Sequence, residues 1–482
     1  MLLSKVMEGI EYSGFAGDCE ICDITQDSRK VTEGVAFICI KGLKCDGHDF
    51  ARSAVQQGAP VVICERDLGL ENQIIVDSAR RAFAIMCENL FEHPLKKLKL
   101  IGITGTNGKT SATFITKQIL EKCGFKCGLI GTIQNMIGDE VLHADYTTPD
   151  TYELHSLFKR MAEAECDYVI MEVSSHALEL GRVADMHFAA ACFTNLTEDH
   201  LDFHKTMEAY FAAKTRLFGM TDCAVVNIDD SWGNKIPIAD SVELITYGID
   251  DELAELRAEN VEFSDNGVSF DLCFSGFRRR VKVPTPGKFS AYNALSAAGC
   301  ALAVGAAPEK VAEALDCSTG IKGRAEVYPT GRDFTIILDY AHTPDGVENI
   351  LSSMREVSKG RLVALFGCGG DRDPYKRPIM GEAAARLADF VIVTSDNPRT
   401  ENPEKIVEQI LPGVTKYDTP YVVIVNRREA MKYAVEHAQP NDVIVFAGKG
   451  HEDYQILATG KVHFDEREVL DEIFAELYPE QK

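Results

Sequence analysis

The last third of the chain alternates between short apolar runs and stretches with helical spacing. The apolar runs predict buried strands, which lie at 334–338, 362–366, 390–393 and 443–446. The stretches between them predict helices at about 345–358, 378–388 and 427–438. Strands and helices that alternate in this way form βαβ units, so this region is expected to contain a parallel sheet.

Each predicted strand runs directly into polar or glycine-rich sequence. The segments are DYAH at 339–342, GCGGDR at 367–372, SDNPR at 395–399 and GKGHE at 448–452. In open parallel sheets, ligands bind beyond the carboxyl ends of the strands. The shared position of these segments therefore predicts a ligand site at that edge of the sheet.

Two predicted domain boundaries divide the chain. The first precedes a short buried strand predicted at 98–103, and the second lies in the segment 320–324. At about 150 residues per domain, the 482 residues correspond to about three domains. We therefore expect a chain of the α/β class with domains at 1–98, 99–325 and 326–482.

The composition is typical of a soluble globular protein, with 45% hydrophobic and 26% charged residues. The formal net charge of −24 argues against general binding to nucleic acid or to an anionic membrane. No apolar run approaches the ~18 residues of a membrane-spanning helix, and the first residues lack the apolar core of a signal peptide. We expect a cytoplasmic monomer that binds no nucleic acid and does not insert into a membrane.

The 15 cysteines are scattered and odd in number, which is typical of reduced thiols rather than a disulfide scaffold. Cys19 and Cys22 form a C-x-x-C pair, but no second pair lies near enough in the sequence to complete a zinc site. We interpret both as packed or surface thiols.

A glycine-rich segment, TGTNGKT at 104–110, follows the predicted strand at 98–103 and precedes a helical stretch. This is the context of a phosphate-binding loop, in which backbone N–H groups and a helix N-terminus surround phosphate oxygens. Lys109 would reach the β and γ phosphates, and Thr110 would hold Mg²⁺. The strict pattern has glycine where this chain has Ile103, and a plain glycine-rich turn is the alternative.

Acidic and histidine residues that could complete such a site follow in the middle block. A predicted strand at 168–171 ends at Glu172, and a carboxylate there is a suitable Mg²⁺ ligand. The segment TNLTEDHLD at 194–202 adds further acidic and histidine side chains. Each segment alone could be a helix-capping turn, but their occurrence with the loop favours a site. The loop by itself leaves a kinase, a transport ATPase and a switch GTPase open.

Together these motifs resemble those of the Mur ligases, the ATP-dependent amide-bond ligases of peptidoglycan precursor synthesis. The motifs are TGTNGKT at 104–110, EVSSH at 172–176 and NLTEDHLD at 195–202. The chain also resembles the branch of this family that adds the third peptide residue, through DSR at 27–29, DGH at 46–48 and TTPD at 147–150. It resembles the members that add meso-diaminopimelate through GCGGDRD at 367–373 and DNPR at 396–399. The resemblance runs nearly end to end.

The resemblance implies a central P-loop ATPase-like domain between an N-terminal UDP-sugar-binding domain and a C-terminal Rossmann-like domain that binds the amino acid. It also implies a two-step reaction. The D-glutamate carboxylate of UDP-N-acetylmuramoyl-dipeptide attacks the γ-phosphate of ATP. An amine of meso-diaminopimelate then attacks the acyl phosphate, which gives the amide, ADP and phosphate. ATP and Mg²⁺ are the implied cofactors.

Site residues follow from the same resemblance. The implied catalytic group is Lys109, Glu172, His200 and Lys214. The implied residues at Mg²⁺ are Thr110, Glu172, His200 and a carbamylated Lys214. The implied ATP contacts are Gly105, Thr106, Asn107, Gly108, Lys109, Thr110, Ser111, Asn293, Arg324, Asp339 and His342. The implied contacts of the nucleotide-sugar peptide are Ser28, Thr147, Thr148, Ser174 and Arg182. The implied diaminopimelate contacts are Arg372, Asp396, Asn397, Pro398, Arg399, Gly448 and Glu452.

Two positions depart from the family pattern. Lys322 stands where the family usually has proline before the hinge glycine, and Leu180 stands where some relatives carry glutamine. The first departure concerns the geometry around Arg324, and the second removes one expected substrate contact.

Three alternatives stay open. They are the same ligase fold with lysine as substrate, a ligase similar to folylpolyglutamate synthetase, and a P-loop regulatory ATPase or switch protein. DNPR at 396–399 argues against the first, and DSR at 27–29 with DGH at 46–48 argues against the second. The basic residues Arg372 and Arg399 argue against the third.

Overall fold

The computed structural model describes residues 1–42, 45–264 and 266–479 and divides into two compact units. The first unit comprises Met1–Thr246 and Gly299–Ala306, and the second comprises Tyr247–Ala298 and Ala307–Lys482. Both units pack helices against parallel strands, so the chain has the α/β fold that the sequence predicts.

The first unit holds the predicted phosphate loop. Its helices are α1 Leu3–Val6, α2 Ala51–Gln56, α3 Ala79–Leu90, α4 Lys109–Lys122, α5 Thr151–Glu163, α6 Ser175–Glu179, α7 Leu201–His204 and α8 Met207–Thr215. Its strands are β1 Ser13–Gly14, β2 Asp23–Thr25, β3 Val35–Ile38, β4 Val62–Cys64, β5 Gln73–Ile75, β6 Lys99–Thr104, β7 Cys127–Ile130, β8 Asn135–Ile137, β9 Glu140–Leu142, β10 Tyr168–Glu172, β11 Phe188–Phe193, β12 Cys223–Asn227 and β13 Glu243–Gly248, whose last two residues belong to the second unit. Its 3₁₀ helices are Ser28–Lys30, Gly47–Phe50, Pro94–Lys96, Arg216–Met220 and Gly233–Lys235.

Parallel pairing organises both sheets of this unit. The smaller sheet has the order β1-β5-β4-β3-β2, with β1 antiparallel to β5. Seven consecutive strands of the larger, 11-stranded sheet follow the order β12-β11-β6-β10-β7-β8-β9, in which β8 is antiparallel to β7 and β9. The central strand β6 pairs in parallel with β10 and β11, and its residues from Leu100 onward are buried. Strands covered on both faces read as continuous apolar runs, which is why β6 could be recognised in the sequence.

The second unit holds the strand-end segments of the last third of the chain. Its helices are α9 Lys288–Ala303, which ends in the first unit, α10 Pro308–Asp316, α11 Pro344–Val357, α12 Lys376–Leu387, α13 Pro403–Val414, α14 Arg427–Glu436 and α15 Glu466–Leu477. Its strands are β14 Leu256–Ser264, β15 Gly267–Phe274, β16 Phe277–Val283, β17 Glu326–Tyr328, β18 Thr335–Asp339, β19 Leu362–Phe366, β20 Phe390–Val393, β21 Tyr421–Val423, β22 Val443–Ala447, β23 Tyr454–Leu457 and β24 Gly460–His463.

A sheet of order β17-β18-β22-β19-β20-β21 forms the centre of the second unit, and only β17 runs antiparallel to its neighbour among these described strands. Alternate residues of each strand face opposite helix layers. Ile337 and Val445 pack with helices α11, α12 and α13, whereas Ile336 and Ile444 pack with α14 and α15. The result is a doubly wound sheet with helices on both faces.

The structure confirms the strands and helices predicted for the last third of the chain. The strands at 362–366 and 390–393 have the predicted bounds. The strand predicted at 334–338 is shifted by one residue at both ends, and the one predicted at 443–446 is one residue longer at its end. The predicted helices correspond to α11, α12 and α14. Within the three described ranges, the helices are too short or too polar to cross a membrane.

Arg427 and Glu466 form a fully buried ion pair between the starts of α14 and α15. Their side chains are 0% exposed, and the closest nitrogen and oxygen are 2.7 Å apart. Arg427 also donates from Nη2 to the carbonyl of Ala447 at 3.0 Å. Burial raises the pKa of Glu466, and the Arg427 guanidinium opposes that rise. The pair ties both helices to the end of strand β22.

We expect Arg427→Met to lower the free energy of unfolding by about 3–5 kcal/mol, because it leaves Glu466 buried without its cation. Arg428→Met is the matched control, since the neighbouring Arg428 is partly exposed and pairs with Glu472 and Glu476. It should change the unfolding free energy by about 1 kcal/mol or less. Urea denaturation followed by circular dichroism measures both.

The double variant Arg427→Met with Glu466→Met distinguishes the stability lost by leaving Glu466 unpaired from the stability lost through poorer packing. Since it removes both charges, it should recover most of the stability that Arg427→Met loses. Equal unfolding midpoints for Arg427→Met and Arg428→Met would contradict this account of the pair.

Candidate functional site

The loop after β6 has a backbone shape that requires glycine. Gly105 has φ +148°, and a Cβ atom there would lie 1.9 Å from Thr194 Oγ1. Gly108 has φ +84° and caps the N-terminus of α4. Segment 194–197, which follows β11, braces the loop: Thr106 N–H donates to the carbonyl of Asn195, and Asn107 N–H donates to its side-chain Oδ1, both at 2.9 Å. The predicted loop therefore stands at the start of a helix with its backbone held from one side.

Two lysines converge on the carbonyls of this loop. Lys109 Nζ donates to Gly105 O at 2.9 Å and to Thr106 O at 2.8 Å. Lys214, on α8, is 1% exposed, and its Nζ donates to Gly105 O at 2.7 Å. Burial, with a contribution from the charge of Lys109, lowers the pKa of Lys214 well below its usual value. This lowered pKa favours the neutral amine form of the Lys214 side chain.

Glu172 ends β10 in register with β6, and its side chain is buried. Its Oε1 accepts from Thr132 N at 2.8 Å and its Oε2 accepts from Thr132 Oγ1 at 3.0 Å. Each carboxylate oxygen keeps a further lone pair for a cation. Thr110 begins α4 and is also buried. These oxygen donors are the type that Mg²⁺ prefers.

His200 belongs to a cluster of aromatic side chains beside the loop. Its ring centroid lies 4.8 Å from that of His176 and 6.1 Å from that of Tyr210. Burial lowers the pKa of His200, and burial with neighbouring histidines lowers the pKa of His176 to about 4. Both imidazoles are therefore neutral near pH 7 and could coordinate a cation or accept a proton. His200 also has φ +53°, an uncommon backbone conformation for a histidine.

The described ranges contain no group of three or more His, Cys, Asp or Glu side chains arranged to hold a metal. Cys19 and Cys22 are free thiols, as the sequence suggests.

Most of the residues expected to bind the nucleotide-sugar peptide lie together next to Glu172. Thr148 Oγ1 donates to Glu172 O at 2.8 Å and lies 3.2 Å from Ser174 Oγ. Arg182 Nη1 donates to Thr148 O at 2.7 Å. The Thr147 hydroxyl is 3.0 Å from that of Thr132, which also contacts Glu172. Ser28 lies on a separate element, the 3₁₀ helix Ser28–Lys30 after β2.

The strand-end segments of the second unit meet at one edge of its sheet, because β18, β22, β19 and β20 are parallel neighbours. Asn397 Nδ2 donates to Glu452 Oε2 at 2.9 Å, so two residues of the expected diaminopimelate set are in direct contact. Gly448 has φ +116°, and a Cβ there would lie 3.7 Å from Asp396 Oδ2. The prediction that these segments share one edge is confirmed.

Arg399 is held at this edge in an unusual backbone conformation. Its φ is +51°, and its N–H donates to the carbonyl of Ile456 at 3.0 Å. The guanidinium Nη1 donates to Gly370 O at 2.9 Å. A Cβ at Gly370 would lie 1.9 Å from Pro398 O, so glycine is required at this close approach. A left-handed arginine fixed on both sides is typical of a functional site.

Arg372 is exposed on the loop after β19, where its Nη1 contacts the preceding carbonyl of Asp371 at 3.1 Å. A Cβ at Gly369 would lie 3.7 Å from Arg372 Cγ and 2.9 Å from Arg399 Nη1. The two arginines therefore border the same glycine.

Three of the four expected ATP contacts in the second unit surround Tyr340. The Asp339 carboxylate accepts from Ala325 N at 2.7 Å and from Ala341 N at 2.8 Å. The Arg324 guanidinium lies 5.2 Å from the Tyr340 ring, and the His342 ring lies 4.6 Å from it. Asn293 lies on a different element, α9, and is 8% exposed.

Sequence reasoning missed several residues that build these sites. Thr132 contacts Thr147 and Glu172, and nothing in its local sequence marks it. Tyr210 begins the YFAAK segment that ends at Lys214, and its hydroxyl contacts that of Thr106. Tyr340 and Lys449 lie inside motifs that the sequence did single out, between the residues that were named. Reading every polar or aromatic position of those motifs as a candidate would have found both.

Family models match the chain along most of its length. They are described as "Mur ligase family, catalytic domain" over residues 20–88, "Mur ligase middle domain" over 103–301 and "Mur ligase, glutamate ligase domain" over 323–450.

Relatives match nearly the whole chain as well. UDP-N-acetylmuramoyl-L-alanyl-D-glutamate–2,6-diaminopimelate ligase 1 of Clostridium acetobutylicum is 48% identical, over 99% of this chain and 100% of the relative. The corresponding ligase of Clostridium botulinum is 47% identical, again over 99% of this chain and 100% of the relative. A solved structure named as UDP-N-acetylmuramoyl-L-alanyl-D-glutamate–2,6-diaminopimelate ligase is 32% identical, with a TM-score of 0.72 over 95% of each chain. The chain belongs to the Mur ligase family.

Proposed function

We propose that this chain is an ATP-dependent ligase that adds meso-2,6-diaminopimelate to UDP-N-acetylmuramoyl-L-alanyl-D-glutamate and releases ADP and phosphate. The names and full-length similarity of the relatives support this substrate pair. The observation in the structure that carries the proposal is Arg399, fixed at the sheet edge beside Asn397 and Glu452. The three blocks predicted at 1–98, 99–325 and 326–482 would take the UDP-sugar, ATP and the amino acid, and we propose that the protein acts in the cytoplasm as a monomer.

The first chemical step joins two anions, the D-glutamate carboxylate and the γ-phosphate of ATP. Backbone N–H groups of segment 105–110 and the N-terminus of α4 would bind the phosphates. Lys109 would exchange its contacts with Gly105 O and Thr106 O for phosphate oxygens. Thr110, Glu172 and His200 would hold Mg²⁺, which supplies further charge neutralisation when bound. The carboxylate oxygen attacks phosphorus, the bond to ADP breaks, and an acyl phosphate results.

In the second step, an amine of diaminopimelate attacks the acyl carbon, and phosphate leaves. Activation is needed because a free carboxylate is a poor acyl donor. Thr148, Ser174 and Arg182 form one hydrogen-bonded group beside Glu172, and we propose that they orient the peptide of the nucleotide-sugar substrate. Asn397 and Glu452 would contact the polar ends of diaminopimelate.

Arg399 would select diaminopimelate over lysine, which lacks the second carboxylate. A guanidinium can bind a carboxylate through two parallel hydrogen bonds. Lysine would leave that arginine without its partner, which costs about 1–3 kcal/mol or more for a charged group. Sites that bind a polar group reject analogues without it for this reason.

Lys214 would act as a carbamate. The nitrogen of a neutral lysine amine attacks the carbon of carbon dioxide, which forms an N–C bond and breaks one C–O π bond. The nitrogen then releases a proton, so the side chain changes from neutral to negative. Burial lowers the pKa of Lys214, and therefore favours the amine that reacts. The resulting anion would complete the magnesium set and lie next to the positive charge of Lys109.

The proposed substrates are tested by a product assay with ATP, the UDP-linked dipeptide and a panel of diamino acids. We expect kcat/KM for diaminopimelate to exceed that for lysine at least about tenfold, or ~1.4 kcal/mol. Arg399→Met should lower kcat/KM for diaminopimelate and narrow this ratio. Arg386→Met, which removes an exposed arginine that pairs with Glu348, is the matched control and should leave the ratio unchanged.

The same assay separates the alternatives. Phosphate release should require both the nucleotide-sugar dipeptide and diaminopimelate. Release with ATP and Mg²⁺ alone would favour a switch ATPase, and equal kcat/KM for lysine and diaminopimelate would refute the proposed amino acid.

We expect Lys214→Ala to lose more than about 99% of kcat, because it removes an anion from the phosphoryl-transfer site. A small carboxylic acid added to this variant should restore part of the activity by replacing the carbamate. Lys235→Ala removes an exposed lysine that lies over Trp232 and serves as the control. Full activity of Lys214→Ala would rule out the carbamate role.

A further inference from the structure

Lys449 is completely buried at the amino-acid edge of the second unit. It follows strand β22, and its side chain is 0% exposed. Its Nζ donates to Asn397 Oδ1 at 2.7 Å and to Glu452 Oε2 at 2.9 Å, and it lies 3.4 Å from Asp396 Oδ1. Removing an ammonium from water is unfavourable unless it is paired and hydrogen-bonded. Lys449 meets that condition by contacting three residues that we assign to diaminopimelate.

These contacts determine how Asn397 is oriented. Its Oδ1 accepts from Lys449 Nζ and also from the N–H of Ile456 at 2.9 Å. Its Nδ2 must then point the other way, where it donates to Glu452 Oε2 at 2.9 Å. The Asn397 side chain therefore has one hydrogen-bonded orientation, and the Lys449 ammonium supplies the shorter of the two bonds to its Oδ1.

The same contacts orient Glu452. Its Oε2 accepts from both Lys449 and Asn397, while its Oε1 lies 3.3 Å from the Tyr454 hydroxyl. Oε1 is therefore the oxygen with greater remaining capacity to accept from a ligand ammonium. Asp396 Oδ1 is buried without a hydrogen-bond partner among the described residues, and Lys449 is the cation within ion-pair distance of it.

We propose that Lys449 is a positioning residue that holds Asn397 and Glu452 in the arrangement that binds diaminopimelate. Without its ammonium, the carboxylates of Asp396 and Glu452 would lose the cation that lies 3.4 Å from the first and 2.9 Å from the second. Two carboxylates that share no cation repel each other, so the 396–399 loop and the Glu452 side chain would move apart. This inference rests on the proposed function, because it takes Asn397 and Glu452 as contacts of the amino acid.

Steady-state kinetics of Lys449→Met, with each of the three substrates varied in turn, tests the proposal. Methionine keeps a similar volume but removes the ammonium. We expect KM for diaminopimelate to rise at least about tenfold, while KM for ATP and for the UDP-linked dipeptide changes less than about twofold. Lys416→Met is the matched control, because Lys416 is an exposed lysine of the same unit that pairs with Glu382, outside these contacts. Lys449→Gln, which keeps a hydrogen-bond donor, replaces Lys449→Met if the latter does not fold.

A double-mutant cycle shows whether Lys449 acts through Glu452. Because both substitutions disturb the same contact, Lys449→Met combined with Glu452→Gln should lower kcat/KM for diaminopimelate no further than the stronger single variant. Additive losses, or equal rises of all three KM values, would overturn the positioning role.

Hydrogen exchange separates a failure of this inference from a failure of the proposed function. In Lys449→Met without substrate, the amides of Asp396, Asn397 and Arg399 and of residues 454–457 should exchange faster than in the native protein, whereas those in β19 should not. If the native protein forms no product from diaminopimelate, the function fails and this measurement still tests the positioning. Unchanged exchange at 396–399 would refute the positioning whatever the substrate.

Discussion

Parallel pairing of β6 with β10 and β11 is the constraint on which the phosphate site depends. The register sets Glu172 opposite Ile103 and Phe193 opposite Thr104, so the three strands end at nearly the same level. The glycine loop, the Glu172 carboxylate and segment 194–202 therefore emerge side by side, although they are far apart in the sequence. A shift of any strand by one residue would turn its side chains to the opposite face. The chemistry of this unit is thus a result of strand register before it is a result of any single side chain.

Buried cations are a second theme of this acidic chain. The net charge of −24 is a property of the whole sequence, whereas Lys214, Arg427 and Lys449 are enclosed and nearly or completely unexposed. They are neutralised in different ways. Arg427 has one carboxylate, Lys449 has several oxygen partners, and Lys214 contacts a backbone carbonyl. Burial lowers the pKa of Lys214, which is consistent with a role that needs a neutral amine.

The sequence allowed the parallel sheet of the second unit and the edge that carries its motifs to be predicted, because buried parallel strands are continuous apolar runs with glycine or polar residues after them. It did not reveal α13, which contains Pro412 and Gly413, residues that ordinarily interrupt helices. In this helix Gly413 lies so close to Pro378 O that a Cβ would stand 1.8 Å from it, so the packing with α12 decides the local structure.

The candidate sites were predictable as motifs but not as networks. Lys109 and Arg399 could be named because spacing and resemblance mark them. The contacts of Lys449 with Asn397 join positions 52 residues apart, and the bond of Lys214 to Gly105 joins positions 109 residues apart. Hydrogen bonds over such separations leave no periodic signal in the sequence. The left-handed backbone conformation of Arg399 could not be predicted from the sequence either, because arginine has no preference for it.

Ile456 forms two hydrogen bonds with the Asn397–Arg399 loop through its backbone: its N–H donates to Asn397 Oδ1, and its carbonyl accepts from Arg399 N. Backbone groups are the same in every residue except proline, which lacks the N–H. The side chain at position 456, in the antiparallel pair of β23 and β24, can therefore change while the Asn397–Arg399 loop keeps its shape. Selectivity for the amino acid is thus separated from the identity of the residue that supports it, so the two can evolve independently.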